Sequence, residues 1–136
     1  MIVETERCVA PNATGVTLWL PATGANDVEP FAGALYSVGH VHDCTVIGGW
    51  PDTSPRSRWQ KALAAPPTPV GTIATKDAYG WDFRGLPYAG VLQWYPDLEF
   101  GNYTPDRQAA WAVEGSGDYL VLGGEFPLVN GVAQQG

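Results

Sequence analysis

Gly39-His40-Val41-His42-Asp43-Cys44 is the stretch whose residue types could do chemistry at close spacing. In an extended chain His40 and His42 point to one face, with Cα atoms about 6.5–7 Å apart. Two imidazoles and a carboxylate suit a transition metal. A regular strand turns Asp43 to the opposite face, and only a bulge would bring it round. The chain has two histidines, so no third imidazole can complete a site. Structural hydrogen bonding by His40 and His42 at a loop edge is the competing reading. The other cysteine is Cys8, and no Cys-x-x-Cys pair occurs, which argues against structural zinc. A Cys8–Cys44 disulfide is open to an exported chain.

The acids suggest no catalytic pair. Asp52, Asp97 and Asp106 each follow a proline, the normal setting of Asp in turns. Asp77, Asp82 and Glu125 are the other candidates. A two-carboxylate glycosidase needs acids roughly 5–9.5 Å apart across a cleft, which spacing along a chain does not define. The chain contains no Gly-x-Ser-x-Gly elbow and no phosphate-binding Gly-x-x-x-x-Gly-Lys motif. No catalytic residue and no cofactor is expected. Aromatic rings offer a different chemistry, because flat rings stack on sugar faces. Tyr79, Trp81, Tyr88, Trp94 and Tyr95 cluster within residues 66–95 and form the candidate ligand platform. Burial in a core is the alternative use of such rings.

These residues must be positioned by a chain of 136 residues, a length that favours one domain. Charged residues are 15% and apolar residues 45% of the chain, unlike a charge-rich disordered segment. With 17 Gly and 12 Pro, the composition disfavours long helices and favours short strands joined by turns. The net charge of -7 leaves no basic face for nucleic acid or an anionic membrane surface. No apolar run is long enough for a membrane span. The opening Met-Ile-Val-Glu-Thr-Glu-Arg lacks the apolar core of a signal peptide.

Alternation and breakers predict strands at 16–20, 35–41, 45–49 and 91–95. A hairpin over 110–113 and 119–122 is expected, with Glu114-Gly115-Ser116-Gly117-Asp118 as a five-residue loop. Asn130-Gly131 is a type I′ turn signal that pairs residues 126–129 with a strand starting at Val132. Residues 57–65 fit a short helix or an extended strand, and 66–90 read as a long ordered loop. Leu35-Tyr36-Ser37-Val38-Gly39-His40 matches Tyr119-Leu120-Val121-Leu122-Gly123-Gly124 at an offset of 84 residues, about two propeller-blade periods.

The stretch Tyr119-Leu120-Val121-Leu122-Gly123-Gly124-Glu125-Phe126, followed by Val129-Asn130-Gly131, resembles the blade motif of an exported bacterial β-propeller repeat family of actinobacterial type. Residues 34–64 look like a divergent copy. Gly39, Gly123, Gly124, Phe126, Asn130 and Gly131 are the motif positions. The resemblance implies an all-β fold of antiparallel four-stranded blades, with two to three blades here, an incomplete propeller. The chain then divides into first strands (1–33), a blade unit (34–65), an aromatic loop and strand (66–108) and a truncated blade unit (109–136). It implies a non-catalytic structural or binding segment of an exported or cell-surface protein, with carbohydrate as a natural ligand. Open strand edges would meet the rest of a longer chain or a second copy. A secreted propeller hydrolase with acids in a central channel is the alternative, and a self-contained β-sandwich a third. Two departures stand out: the last strand would lack its apolar half, and the family's cysteine after an Asn-Asp pair is replaced by Val28.

Overall fold

The computed structural model describes residues 25–41, 44–49, 60–76, 80, 82–105 and 108–134. Its regular elements are short antiparallel strands and a single turn of 3-10 helix, so the fold is all-β. No helix among these residues is long and apolar enough to cross a membrane. The expected strand at 16–20 lies outside the described residues.

The largest sheet has the order β1 (Ala25–Phe31), β2 (Ala34–Val41), β3 (Gln60–Ala65). Ala32-Gly33 joins β1 to β2 with φ of 47° and 81°, the two positive values of a type I′ turn. Residues 60–65 take the extended form, and Leu63 and Ala65 are fully buried with their neighbours. Such a continuous buried run, closed by Pro66, suits a strand covered on both faces.

The second hairpin pairs β6 (Ala110–Ser116) with β7 (Tyr119–Gly124). Its loop is two residues, Gly117-Asp118, rather than the five expected. Glu114, Gly115 and Ser116 pair with Val121, Leu120 and Tyr119 and extend β6 instead. Gly117 has φ 58° and fills the first central position of a type II′ turn.

Two other expectations are corrected. Residues 45–49 are no strand: Thr45–Ile47 is a 3-10 turn. The Cys44 carbonyl accepts from Ile47 N–H (3.2 Å) and Gly49 N–H (2.9 Å), and Gly48 closes the turn in the left-handed region. Residues 91–95 are irregular. Trp94 N–H donates to the Leu92 carbonyl at 2.8 Å, a three-residue turn that pulls the chain off a straight path. The segment still lies along β3, because Leu92 N–H donates to Ala64 O and Ala64 N–H to Trp94 O. Within residues 66–90, β4 (Gly71–Thr72) pairs with β5 (Pro87–Tyr88).

The Asn130-Gly131 turn forms as expected, with φ of 49° and 77°, and joins β8 (Leu128–Val129) to β9 (Val132–Ala133). Asp97 holds it by two bonds of 2.8 Å, Asp97 N–H to Asn130 Oδ1 and Asn130 N–H to the Asp97 carbonyl.

Two apolar clusters lie on either side of β3. Leu63 joins Cys44, Ile47 and Ile73; Ala62 joins Val38, Leu98, Ala109, Ala110 and Val113. Alternation along one strand therefore serves both cores.

Candidate functional site

The two hairpins share one geometry. Each has a two-residue turn, and each carries a register shift at the same place, between Ala25 and Asp27 in one and Ala110 and Ala112 in the other. Residues 85 apart are equivalent, since Asp27↔Val38 corresponds to Ala112↔Gly123 and Phe31↔Ala34 to Ser116↔Tyr119. The structural match is one residue from the sequence offset of 84. It sets Gly39 on Gly124, Leu35 on Leu120, Val28 on Val113 and Glu29 on Glu114. The turn decides this alignment, because a two-residue connection fixes which residues face each other.

The first hairpin leans on the second through side chains. Asp27, Glu29 and Phe31 share a face of β1 by alternation. The Asp27 carboxylate accepts from Val113 N–H (3.0 Å) and the Glu29 carboxylate from Gly115 N–H (3.1 Å). Asn26 Nδ2 donates to the Ala110 carbonyl at 2.9 Å. Those groups point away from β7, and side chains of β1 stand in for a neighbouring strand. Phe31 packs over Gly115, where a Cβ would run into its ring and lie 3.0 Å from Glu29 Oε1. Glycine at 115 is therefore required by the close approach of Phe31.

The outer edge of β7 is different. Among the described residues no strand pairs with it. Tyr119 and Val121 project outward, 75% and 59% exposed, whereas Leu120 and Leu122 pack on the core cluster around Val113.

Three of the expected ligand rings lie among the described residues. Trp94 is half-buried, edge-on to Tyr36 at 4.9 Å between centroids. Tyr88 packs against the Ile47–Leu63 cluster and over Gly71. Tyr95 is exposed. Tyr79 and Trp81 lie outside the described residues. Two rings absent from that expectation are exposed around Glu125: Tyr103 and Trp111. The Glu125 carboxylate accepts from Thr104 Oγ1 (2.6 Å), Thr104 N–H (3.0 Å) and Tyr103 N–H (2.8 Å). These bonds, the Thr104 hydroxyl first, hold its pKa below the ordinary carboxylate value, and a bond from Trp111 adds to them. The signal available in sequence was the Asn102-Tyr103-Thr104 turn. Its distance from Glu125 along the chain hid the contact.

The other acids are occupied locally or lie elsewhere. Asp82 forms a two-pronged bond to Arg84 (2.8 and 2.6 Å), which lowers its pKa to about 2. Asp97 holds the 130–131 turn through its backbone. Asp52, Asp77 and Asp106 lie outside the described residues, as do the His40 ring, His42, Asp43 and Cys8. Among the described residues no group of His, Cys, Asp and Glu could hold a metal ion. Cys44 is fully buried and disulfide-bonded. Gly123 and Gly124 end β7, and Phe126, between β7 and the Asn130-Gly131 turn, packs on the second core cluster.

Lys61 is a buried cation on β3, only 2% exposed. Its ammonium lies 6.0 Å from the Phe100 ring centroid. Burial lowers its pKa, and the charge of Asp97 partly opposes this.

No family model matches the chain, and no curated protein or solved structure matches it.

Proposed function

We propose that this chain is a non-catalytic repeat segment of β-propeller type, belonging to an exported or cell-surface bacterial protein and presenting surface to ligands such as glycans. The observation that carries the reading is the hairpin repeated 85 residues on, with turn length and register shift preserved. Repeat architectures reuse one supersecondary unit that buries its apolar face only against a neighbouring copy. Val38 of the first hairpin shares one apolar cluster with Ala110 and Val113 of the second, a contact of that kind, and side chains of β1 satisfy the β6 backbone beside it. The disulfide at Cys44 favours an oxidising compartment. Tyr95, Tyr103 and Trp111 are exposed rings of the type that stack on sugars.

Native-state hydrogen exchange tests the repeat reading. Units that lean on each other lose amide protection together, so β2 and β7 should exchange with the same opening free energy. Loss of protection in one hairpin while the other stays closed would show two private cores and remove the reading. A glycan array tests the ligand class: a saturable hit that weakens in Tyr103→Ala or Tyr95→Ala supports it, and an array without hits dismisses glycans.

A further inference from the structure

We propose that the edge of β7, which no strand pairs among the described residues, is a self-docking site, where a second copy of this chain adds its own β7 in antiparallel register about a two-fold axis through Val121. This goes beyond the repeat-segment reading and stands on the register, exposure and composition of β7.

Hydrogen-bonding direction alternates along an antiparallel strand. In a two-residue hairpin the residues flanking the turn, here Ser116 and Tyr119, bond to each other. Gly115 and Val113 then point their N–H groups outward, as their bonds to Glu29 and Asp27 show. Their partners across the hairpin, Leu120 and Leu122, direct their N–H and C=O groups to the opposite, outer edge of β7.

The first hairpin shows what that edge accepts. Leu35 and Ser37, equivalent to Leu120 and Leu122, pair with Ala65 and Leu63 of the antiparallel strand β3. The same edge of β7 has no strand among the described residues. The usual protections of an edge are charge, proline or a covering element. Tyr119-Leu120-Val121-Leu122-Gly123-Gly124 holds no charge and no proline.

The sequence of this strand complements itself, which selects a second copy as occupant. With the axis at Val121, the outward groups of Leu120 meet those of Leu122 in the other copy, and the reverse pair repeats the match. Val121 faces Val121 on the exposed side. Tyr119 faces Gly123, whose missing side chain leaves open space with nothing within 4 Å of a Cβ position. A ring over a cross-strand glycine is a stabilising pair in sheets. Both exposed apolar side chains of the strand are then covered at once, in an isologous interface.

Sedimentation equilibrium of the full, oxidised chain from micromolar to near-millimolar concentration tests this. The expected result is a reversible monomer–dimer equilibrium. Val121→Lys and Val121→Glu each set like charges face to face on the axis, and each should weaken dimerisation about tenfold or more. Mixing the two variants should restore a heterodimer. Circular dichroism melts of Val121→Lys should match the parent, because Val121 is 59% exposed and the lysine stands opposite Glu114; Val121→Glu should melt slightly lower, because it faces Glu114 within its own hairpin. A parent that stays monomeric throughout overturns the proposal. So does a dimer unaffected by both variants, and so does open-ended association, since a two-fold interface closes. Equal hydrogen-exchange protection in the two hairpins alongside a monomer would reject this inference and leave the repeat reading standing.

Discussion

The two hairpins follow the same backbone plan and differ in what their outer edges meet. The β2 edge is covered by β3, and the β6 edge is satisfied by carboxylates from β1. The β7 edge meets no strand among the described residues. Equivalent residues have therefore acquired different work. Glu29 is half-buried and bonded to Gly115, whereas its counterpart Glu114 is exposed on the strand it helps to form. Local backbone rules repeat with the unit. Burial and bonding follow from which neighbour each edge acquires.

The seam between the hairpins is the place to break this comparison. Gly115→Ala drives a Cβ into the Phe31 ring and should destabilise by about 1–3 kcal/mol. Phe31→Leu in the same chain should recover part of that loss in urea unfolding, and the single variants should be strongly non-additive. A smaller change is expected for Asp27→Ala, which leaves Val113 N–H without its carboxylate: about 1 kcal/mol. Glu114→Ala, the same type of truncation on the second unit, should fall within about 0.5 kcal/mol of the parent, as for exposed surface positions.

The turns sharpen the comparison by opposite signs. Ala32 holds φ 47°, a conformation that disfavours L side chains other than Asn. Ala32→Asn should stabilise by roughly 0.5–1 kcal/mol. Gly117, at φ 58°, is already the suited residue, and Gly117→Ala should destabilise by about 1–2 kcal/mol. Equal effects of the same sign would show that the two turns are not the types assigned.

The smallest expected effect is in pH dependence. Lys61 has a lowered pKa in the folded chain, so the unfolded chain binds more protons at pH values below the ordinary lysine pKa. Stability must rise with pH as the folded-state amine loses its proton, until the unfolded-state pKa is passed. In Lys61→Met this alkaline gain should vanish from the melting curve. Glu125 has the opposite chemistry. Its lowered pKa contributes stability above the ordinary carboxylate value, lost as pH falls through the folded-state value. Glu125→Gln should remove that part of the acid transition.

Sequence alone determined the features that arise within a few residues. Gly and Pro content disfavoured long helices, short apolar runs bounded by turn residues marked the strands at 35–41 and 119–122, and Asn130-Gly131 announced its turn through the φ values only such residues tolerate. Short runs misled where local alternatives compete: 45–49 had the apolar character of a strand, yet Gly48 lets the chain close into a 3-10 turn. The motif likeness between residues 35–40 and 119–124 pointed to a repeat, but hydrophobic similarity tolerates a one-residue slip, and turn geometry settled the offset at 85. Only the tertiary structure decided which side chains meet across long stretches of chain: Asp27 and Glu29 with the β6 backbone, Glu125 with Thr104, Phe31 with Gly115. Those contacts depend on how sheets pack, and packing joins residues whose separation in sequence carries no local signal.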